Sequence, residues 1–329
     1  MKLIKKFARE VEVEEVAICI PLEFKTACMI YELSKYTNVF PTKLDDFSTK
    51  KEAVEWLKEK GIKIFRKREA IKAKYFLDCS AVLSRIAKKA GKEINVVELT
   101  KTGEEYLKRM EKIKAISIDS SRLKEIESIY ATPFGLMEAL LKLNIYLPGK
   151  RVRILGFGKV GQGCAHLLSR IGCKVSVWDK DEEKRLKAYF AGFEVKKDGY
   201  ADLVILCTDS KVEFELIPDG SIVVNMGAEK FDAVGKLVDD FGILKSYEKD
   251  GKFYYLMADG YAVNLAVASG TPIEVMDLTF SAGILALNHL KKDFSGLIPL
   301  PKEIEEKIIS SISPEILGLS DSTHQELQA

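Results

Sequence analysis

The stretch ILGFGKVGQGCAHLLSRIGCKVSVWD, residues 154–179, decides which fold the chain is expected to adopt. It reads as a β-branched strand, a glycine-rich turn, a helix and a second strand. Gly156, Gly158 and Gly161 fit the pattern G-x-G-x-x-G, with Cys164 in place of the last small residue. This order of elements predicts an α/β domain of the Rossmann type whose first turn faces a dinucleotide.

Each glycine of this turn has its own physical reason. The first permits a tight turn, the second lets the backbone approach a pyrophosphate, and the third allows the helix to pack closely. The start of the helix then presents backbone N–H groups to the anion. We therefore predict a cofactor-binding turn formed by Gly156, Gly158, Lys159, Val160 and Gly161.

The second strand of the stretch ends on an acid, Asp179. A carboxylate at this point is expected to accept a hydrogen bond from the adenosine ribose and to repel a 2′-phosphate, which favours NAD over NADP. Lys180, Lys184 and Arg185 are close by in the sequence and weaken that argument. NAD is the predicted cofactor.

The composition excludes several classes of function. The chain has 329 residues, of which 47% are hydrophobic, enough for two packed domains. Its 51 Lys and Arg residues and 49 Asp and Glu residues give a formal net charge of +2, with no basic block suited to nucleic acid. Its apolar runs are shorter than the roughly 20 residues that span a bilayer, and its first residues do not resemble a signal peptide. We therefore expect no nucleic-acid or membrane partner and a cytoplasmic location.

Cysteine spacing and polar composition indicate the setting in which the protein works. The six cysteines stand singly, without a C-x-x-C or a metal-ligand spacing, so buried reduced thiols and no metal site are expected. The chain is rich in Lys and Glu and poor in Asn and Gln, a bias typical of proteins from hot environments.

Strand and helix patterns alternate along most of the chain, which predicts two Rossmann-like α/β domains with parallel sheets around a cleft. Residues 1–132 form a substrate-type domain with the expected strands VAICI, NVFP, IKIF, YFLDC, INVVEL and AISID. A long amphipathic segment, broken near Pro133, leads into the NAD-binding domain, residues 133–272, with the expected strands VRILGFG, KVSVWD, ADLVILC and SIVVNMG. Residues 273–329 complete the first domain, so that the NAD-binding domain is inserted in it.

Three longer stretches resemble the S-adenosylhomocysteine hydrolase family. They are GFGKVGQGCAHLLSRIGCKVSVWDKDEEKRLKAYFAGFEV, IPDGSIVVNMG and YLMADGYAVNLAVASGTPIEVMDLTFSAGILAL. Generic NAD-binding domains do not carry the last two. The resemblance is firm from about Leu136 to Leu290 and only partial earlier, in AICIPLEFKTACMIYEL, DDFSTKKEAV and YFLDC.

This resemblance implies a tightly held NAD that acts as a transient oxidant. In the family, the ribose 3′-hydroxyl is oxidised, the C4′ proton is removed, homocysteine is eliminated, water is added and the ketone is reduced again. Such a scheme needs positioned bases beside the ribose and a nicotinamide held face to face with it. The resemblance assigns cofactor contacts to Asp179, Thr208, Asn225 and Asn264, while a loop-capping role stays open for both asparagines.

Most of the family's acids and bases are replaced in this chain. The resemblance places them at positions that hold Pro21, Lys25, Cys79, Leu99, Thr132, Ala228 and Thr271. Asp78 and Glu98 stand next to two of these positions but not on them. The three histidines, His166, His289 and His324, occupy none of the family positions and are expected to be structural or exposed.

Two charged residues remain as candidate catalytic groups. Lys124 stands one residue from the position of the family's lysine base, and Glu127 stands opposite its aspartate. Their spacing puts them on one face of a helix, where an ordinary surface ion pair is the alternative. If that helix faces the cleft, loss of solvent would lower the pKa of Lys124 and let it act as a base.

Together these features predict a divergent NAD-binding relative of the family with a degenerate hydrolase site. It would act on, or sense, a small nucleoside-like molecule or a dinucleotide, through a different NAD-dependent redox step if it is an enzyme. Lys25 cannot accept a hydrogen bond from an exocyclic amine, which argues against adenine. A genuine S-nucleosylhomocysteine hydrolase with replacement residues and a simple hydroxy-acid or amino-acid dehydrogenase stay open. The family's C-terminal tail is not recognisable in LGLSDSTHQELQA, so a homodimer is expected instead of a tetramer.

Overall fold

The computed structural model of the protein describes residues 1–208 and 210–316. Its contacts divide the chain into two compact units. Unit 1 comprises residues 1–125 and the chain from Ile273 onward, and unit 2 comprises Ile126–Pro272. Each unit has its own sheet, with a hydrophobic core on each face of that sheet.

Strands and helices alternate in both units. The strands are β1 (Glu15–Cys19), β2 (Asn38–Pro41), β3 (Phe76–Asp78), β4 (Ile94–Glu98), β5 (Ile113–Ser117), β6 (Arg151–Leu155), β7 (Lys174–Trp178), β8 (Glu194–Val195), β9 (Leu203–Leu206), β10 (Ile222–Asn225), β11 (Lys236–Asp240), β12 (Leu244–Lys249), β13 (Lys252–Met257) and β14 (Gly296–Pro299). The α-helices are α1 (Lys2–Phe7), α2 (Phe24–Leu33), α3 (Lys51–Glu59), α4 (Lys67–Ala70), α5 (Val82–Lys89), α6 (Lys101–Leu107), α7 (Arg122–Ile126), α8 (Thr132–Lys142), α9 (Lys159–Arg170), α10 (Glu182–Phe190), α11 (Val263–Ala266), α12 (Ile273–His289) and α13 (Lys302–Ile316). None of the helices in the described part of the chain is long and apolar enough to cross a membrane.

Unit 1 is built on a six-stranded sheet in which every pairing is parallel. Its strands lie in the order β14-β5-β4-β3-β1-β2, so the direction of travel across the sheet reverses between β1 and β3. In sheets of this kind, ligands bind outside the carboxyl ends of the strands at such a reversal. Side chains of β1 alternate between the two cores, since Val16 and Ile18 face one and Ala17 and Cys19 face the other.

The strands expected in unit 1 are confirmed with one exception. The segment IKIF, residues 62–65, is not a strand, because only Phe65 pairs, through a single bridge to Thr42. A segment of four residues, three of them apolar, does not fix its own pairing, and here Ile62 and Ile64 pack on the core instead. The sixth strand is β14, which the sequence pattern did not indicate.

Unit 2 is built on an eight-stranded sheet in the order β11-β12-β13-β10-β9-β6-β7-β8. Its strands from β13 to β8 pair in parallel, as expected for a Rossmann sheet. At one edge of this sheet, β12 pairs antiparallel with both β11 and β13. The α/β class is confirmed, and the unit 2 sheet is mixed.

The two faces of the unit 2 sheet are covered unequally. Helices α8, α9, α10 and α11 all contribute to the core that contains Val152 and Ile154. The opposite core, which contains Leu155 and Val204, is covered by loops and a short 3-10 turn at Phe214–Leu216. The glycine-rich turn connects β6 to α9, and α9 belongs to the helix-covered face of the sheet.

The long helical segment that opens unit 2 is interrupted, as expected near Pro133. A π-helical turn, Glu127–Ala131, precedes α8, in which Pro133 stands in the first turn. Proline has no N–H, so it cannot continue a regular helical ladder from the preceding residues. A Cβ placed on Gly163 of α9 would lie 2.2 Å from the Ile129 carbonyl oxygen, so α9 packs directly on this turn.

Candidate functional site

The glycine-rich turn of unit 2 has the backbone geometry that its sequence predicts. Gly156 has φ of +100°, and a Cβ there would lie 2.4 Å from the carbonyl oxygen of Cys207. Only glycine fits this left-handed and crowded position. A Cβ on Gly161 would lie 2.0 Å from the Gly156 carbonyl oxygen, so the third glycine is also fixed by packing within the turn.

Gly158 differs from the other two glycines. Within the described residues, a Cβ added there would meet no heavy atom of the protein within 4 Å. Gly158 is the N-cap of α9, a twelve-residue helix that begins at Lys159. Open space at a helix N-terminus suits an anionic group that approaches the backbone closely. Lys159 and Val160 follow in the first turn of α9, both partly exposed.

Asp179 lies directly after β7 and holds the glycine-rich turn in place. Its Oδ2 accepts a hydrogen bond from the Phe157 N–H at 2.7 Å, and its Oδ1 accepts one from the Asp181 N–H at 2.9 Å. The Lys184 ammonium lies 3.8 Å from Oδ2. A carboxylate offers about four lone-pair sites, so these bonds leave capacity for a ribose hydroxyl.

Thr208 lies two residues after β9, and Asn225 is the last residue of the neighbouring strand β10. Thr208 packs on Gly156 and Gly227, and its hydroxyl accepts a hydrogen bond from the Ser210 N–H at 3.1 Å. The Asn225 amide donates to the Glu229 and Gly260 carbonyls at 2.8 and 2.9 Å, and its Oδ1 accepts from the Gly227 N–H at 2.8 Å. Asn225 therefore has the loop-capping role, and a cofactor contact by its side chain stays a prediction.

Asn264 in α11 differs from Asn225 in its hydrogen bonding. Its side chain is buried, and its Oδ1 has no hydrogen-bond partner among the described residues. An unsatisfied buried acceptor costs free energy unless a ligand or water satisfies it. The open space at Gly158 could take a phosphate of a dinucleotide, and the Asn264 Oδ1 could accept a hydrogen bond from an amide of the same ligand.

The carboxyl ends of the unit 1 strands carry two buried acids, Asp78 and Glu98. Asp78 accepts hydrogen bonds from the N–H groups of Cys79, Leu83 and Ser84 and from the Ser84 hydroxyl. Burial raises its pKa to about 6. All of these hydrogen bonds come from the loop after β3 and the first turn of α5, so Asp78 stabilises the start of that helix.

Glu98 is occupied in the same way. It accepts hydrogen bonds from the Ser80 and Ala81 N–H groups and from the N–H and hydroxyl of Thr100. Burial and the nearby charge of Asp78 raise its pKa to about 8. The adjacent residues on the family positions, Cys79 and Leu99, are both buried.

Lys25 forms an ion pair with Glu23 at the carboxyl end of β1, and both side chains are buried. Glu23 precedes α2 and is its N-cap residue. The sequence pattern singled out Lys25 but missed Glu23, although two opposite charges two residues apart at a strand end were the available signal.

The two candidate catalytic residues lie in different settings. Lys124 is half-buried in α7. Burial and the charge of Glu98 raise the pKa of the Cys79 thiol, and the positive charge of the Lys124 ammonium partly offsets that rise. Glu127 is buried and begins the π-helical turn of unit 2. Glu127 is therefore not a surface residue. An ion pair between Lys124 and Glu127 stays the alternative to a catalytic role. Catalytic roles for both residues stay predictions.

Two other family positions, Thr132 and Thr271, meet within unit 2. Their hydroxyl oxygens lie 3.3 Å apart, and the Thr132 hydroxyl donates to the Glu127 carbonyl at 3.1 Å. His166 is exposed and contacts the Phe193 ring edge-on, and His289 lies 3.8 Å from Glu303. His324 and the C-terminal tail lie outside the described residues.

Comparisons with known proteins agree with the glycine-rich turn and its surroundings. Residues 128–270 match the family model described as S-adenosyl-L-homocysteine hydrolase, NAD binding domain. An adenosylhomocysteinase of Thermotoga maritima is 28% identical, over 100% of this chain and 96% of that protein. An S-inosyl-L-homocysteine hydrolase of Methanopyrus kandleri is also 28% identical, over 94% of this chain and 85% of that protein.

Among solved structures, a transhydrogenase from Sinorhizobium meliloti covers 84% of this chain and 92% of its own, at 15% identity and a TM-score of 0.41. The match to the Thermotoga maritima protein extends over both units. Residues 128–270 therefore form an NAD-binding domain of the S-adenosyl-L-homocysteine hydrolase family, and the chain as a whole is a relative of the adenosylhomocysteinases.

Proposed function

We propose that the protein uses NAD for a redox step on a small nucleoside-like molecule other than S-adenosylhomocysteine, and that it does not hydrolyse that thioether. The observation that carries this proposal is the state of the two buried acids in unit 1. Asp78 and Glu98 are bound to backbone N–H and hydroxyl groups of their own loops. An acid committed to such bonds is poorly placed to exchange a proton with a substrate.

The cofactor side supports NAD, which supplies a hydride acceptor when it is bound. We propose that the backbone at Gly158 and the start of α9 hold the pyrophosphate, and that Asp179 holds the adenosine ribose. We further propose that the Asn264 Oδ1 accepts the hydrogen bond that it lacks from the nicotinamide amide. These contacts do not depend on a hydrolytic set, because all of them lie in unit 2.

A second candidate function is favoured by the buried pair of Lys25 and Glu23. An ammonium donates hydrogen bonds and accepts none, so it suits a purine with a carbonyl oxygen better than one with an exocyclic amine. The Methanopyrus kandleri relative is named for an inosyl substrate, which carries such a carbonyl. Under this alternative, replacement residues such as Lys124 would supply the missing bases for hydrolysis of an S-inosyl thioether.

Thiol release from the NAD-loaded protein separates these functions. The protein is incubated with S-adenosylhomocysteine and, separately, with S-inosylhomocysteine, and free homocysteine thiol is titrated over time. The proposal predicts no thiol from either compound. Thiol from the inosyl compound alone, abolished in Lys25→Met but kept in the exposed control Lys35→Met, would favour the second candidate.

A positive identification requires a redox signal. Nucleosides and related metabolites are added to the NAD-loaded protein, and the near-ultraviolet absorbance of the reduced nicotinamide is followed. The proposal predicts that at least one of them reduces the cofactor. Retention of NAD with no reduction by any of them would indicate a binding or sensing role instead of an enzyme.

A further inference from the structure

One edge of the unit 2 sheet is the strand β11, Lys236–Asp240. It pairs only with β12 in the part of the chain that the structure describes, and all five of its residues are exposed. Leu237 and Val238 are each 46% exposed, and Phe241, directly after the strand, is 64% exposed. An edge strand presents unpaired backbone N–H and C=O groups on its outer side. This edge therefore offers both backbone hydrogen bonds and apolar surface to a further strand.

The other three sheet edges are less suited to the addition of a strand. In unit 1 the edge strands β2 and β14 end on Pro41 and Pro299, and proline cannot donate a backbone hydrogen bond. In unit 2 the opposite edge, β8, has only two residues. Among the edges of the described sheets, β11 is thus the longest strand, and it contains no proline.

The charges of β11 indicate which strand it would pair with. Its sequence, KLVDD, is basic at its start and acidic at its end. If two copies pair antiparallel about a two-fold axis at Val238, Lys236 of each copy lies opposite Asp240 of the other, and such opposite charges stabilise a strand pair. An axis at Asp239 would instead place two Asp239 carboxylates opposite each other, which is destabilising. The charges therefore select one register.

The same register suits the residues that flank the strand. Phe241 of one copy would lie opposite Gly235 of the other, where the lack of a side chain leaves room for the ring. Asp240 accepts a hydrogen bond from the Gly242 N–H at 2.8 Å, and its Oδ2 lies 3.4 Å from the Lys245 ammonium. The position of the Asp240 carboxylate is thus set within a single chain.

We propose that β11 is the surface through which two copies of this chain associate, edge to edge and antiparallel, so that their unit 2 sheets form one continuous sheet. A two-fold axis makes such a contact self-complementary, as in most dimers. The irregular pairing of β11 with β12 at Val238 and the charges of β11 are features by which edge strands avoid indiscriminate pairing. A second copy is the partner whose charges complement Lys236 and Asp240 at the same time.

This interface is separate from the proposed cofactor site. In the strand order, β11 lies five strands away from β6, which leads into the glycine-rich turn. Neighbouring strands are spaced by about 4.8 Å, which puts roughly 24 Å between these two strands. Substitutions in β11 should therefore leave NAD affinity unchanged.

The test is sedimentation equilibrium of the full chain over a range of concentrations. The wild-type protein should show a monomer–dimer equilibrium. Lys236→Glu and Asp240→Lys each replace two ion pairs by two like-charge pairs, so each should weaken the dimer by about tenfold or more. The double variant restores opposite charges in both pairs and should dimerise again nearly as tightly as wild type.

Lys174→Glu is the matched control. Lys174 is an exposed lysine of unit 2 at the start of β7, and its substitution changes the net charge by the same amount as Lys236→Glu. This variant should keep the wild-type dimer. Circular dichroism of the diluted variants checks that each one is folded.

Three outcomes would overturn the inference. A monomer at every concentration would leave this edge to a different protein. A dimer that Lys236→Glu does not weaken would be formed through another surface, and a double variant no better than the single ones would exclude the register. NAD titration of the same samples is read separately, so a chain that dimerises through β11 but binds no NAD would refute the cofactor site alone.

Discussion

At the scale of single residues, two glycines of the cofactor turn should respond in opposite ways to the same methyl group. A Cβ on Gly158 meets no protein atom within 4 Å in the described structure, whereas one on Gly161 lies 2.0 Å from the Gly156 carbonyl oxygen. Gly158→Ala should therefore keep the free energy of unfolding and lower NAD affinity by about tenfold or more. Gly161→Ala should lower the free energy of unfolding by about 1–3 kcal/mol.

Urea unfolding and calorimetric titration with NAD measure both effects on the two variants. The comparison is internal, because the same substitution is made three residues apart in one turn. If Gly158→Ala bound NAD with unchanged affinity, the pyrophosphate would not lie against Gly158, and this prediction would be wrong.

The two asparagines beside the turn give a second residue-scale prediction. Asn225→Ala removes three hydrogen bonds and leaves two of their backbone partners, at Gly227 and Gly260, buried, so it should destabilise the protein by about 2–3 kcal/mol. Asn264→Ala removes an acceptor without a partner, so it should change stability far less and should weaken NAD binding. Thermal melts with and without NAD measure both effects. Equal losses of stability in the two variants would contradict the roles assigned to them.

The sequence could predict the glycines but not this difference between the asparagines. The pattern G-x-G-x-x-G describes local backbone requirements, which follow from neighbouring residues. The role of Asn225 depends on the Gly260 carbonyl, which is 35 residues away, and no local pattern records that contact. Likewise, Cys207 is brought under the turn only by the pairing of β9 with β6.

At the scale of elements, Glu98 holds the loop between β3 and α5. This loop contains two left-handed residues, Ser80 and Ala81, whose N–H groups both donate to Glu98. Gly103 allows the arrangement, because a Cβ there would lie 2.1 Å from the Glu98 carboxyl carbon. Burial, followed by the charge of Asp78, raises the pKa of Glu98 from 4.5 to about 8.

This shift predicts how stability depends on pH. Between 4.5 and about 8 the folded state holds the Glu98 proton and the unfolded state has lost it. The free energy of unfolding contributed by Glu98 therefore falls as pH rises through that window. Glu98→Gln, which stays neutral, should remove this part of the slope, so its stability relative to wild type should rise with pH by at least about 1 kcal/mol.

Urea unfolding at several pH values measures that slope. Glu111→Gln is the matched control, because Glu111 is exposed and has no such role. A difference in stability between Glu98→Gln and wild type that stays constant with pH would show that folding does not raise the pKa of Glu98.

The elements themselves could be predicted where hydrophobic alternation and turns agree, and one clear signal was missed. Asp250 and Gly251, both with positive φ, connect β12 to β13. An Asp-Gly pair between alternating runs is a strong indication of a β-hairpin, and it predicts the antiparallel pairing found at this edge. The prediction for IKIF was wrong although Gly61 precedes it with a positive φ, because a segment of four residues does not determine which strand it pairs with.

At the scale of the whole molecule, the two units differ in how much of their site the sequence could indicate. The cofactor turn in unit 2 is continuous in sequence, so its motif and the family model agree. At the carboxyl ends of the unit 1 strands, by contrast, the residues of interest come from segments that are distant in sequence, such as β3 and β4. There the resemblance predicted which positions hold other residues in place of acids, but the hydrogen bonds of Asp78 and Glu98 required the structure.

The measurement that tests the central claim most directly is the identification, by mass, of the small molecules released when the protein is denatured after incubation with NAD and excess S-adenosylhomocysteine. The predicted result is about one NAD per chain with S-adenosylhomocysteine intact. Absence of NAD, or the appearance of homocysteine together with adenosine, would contradict a cofactor-binding protein without the hydrolytic set.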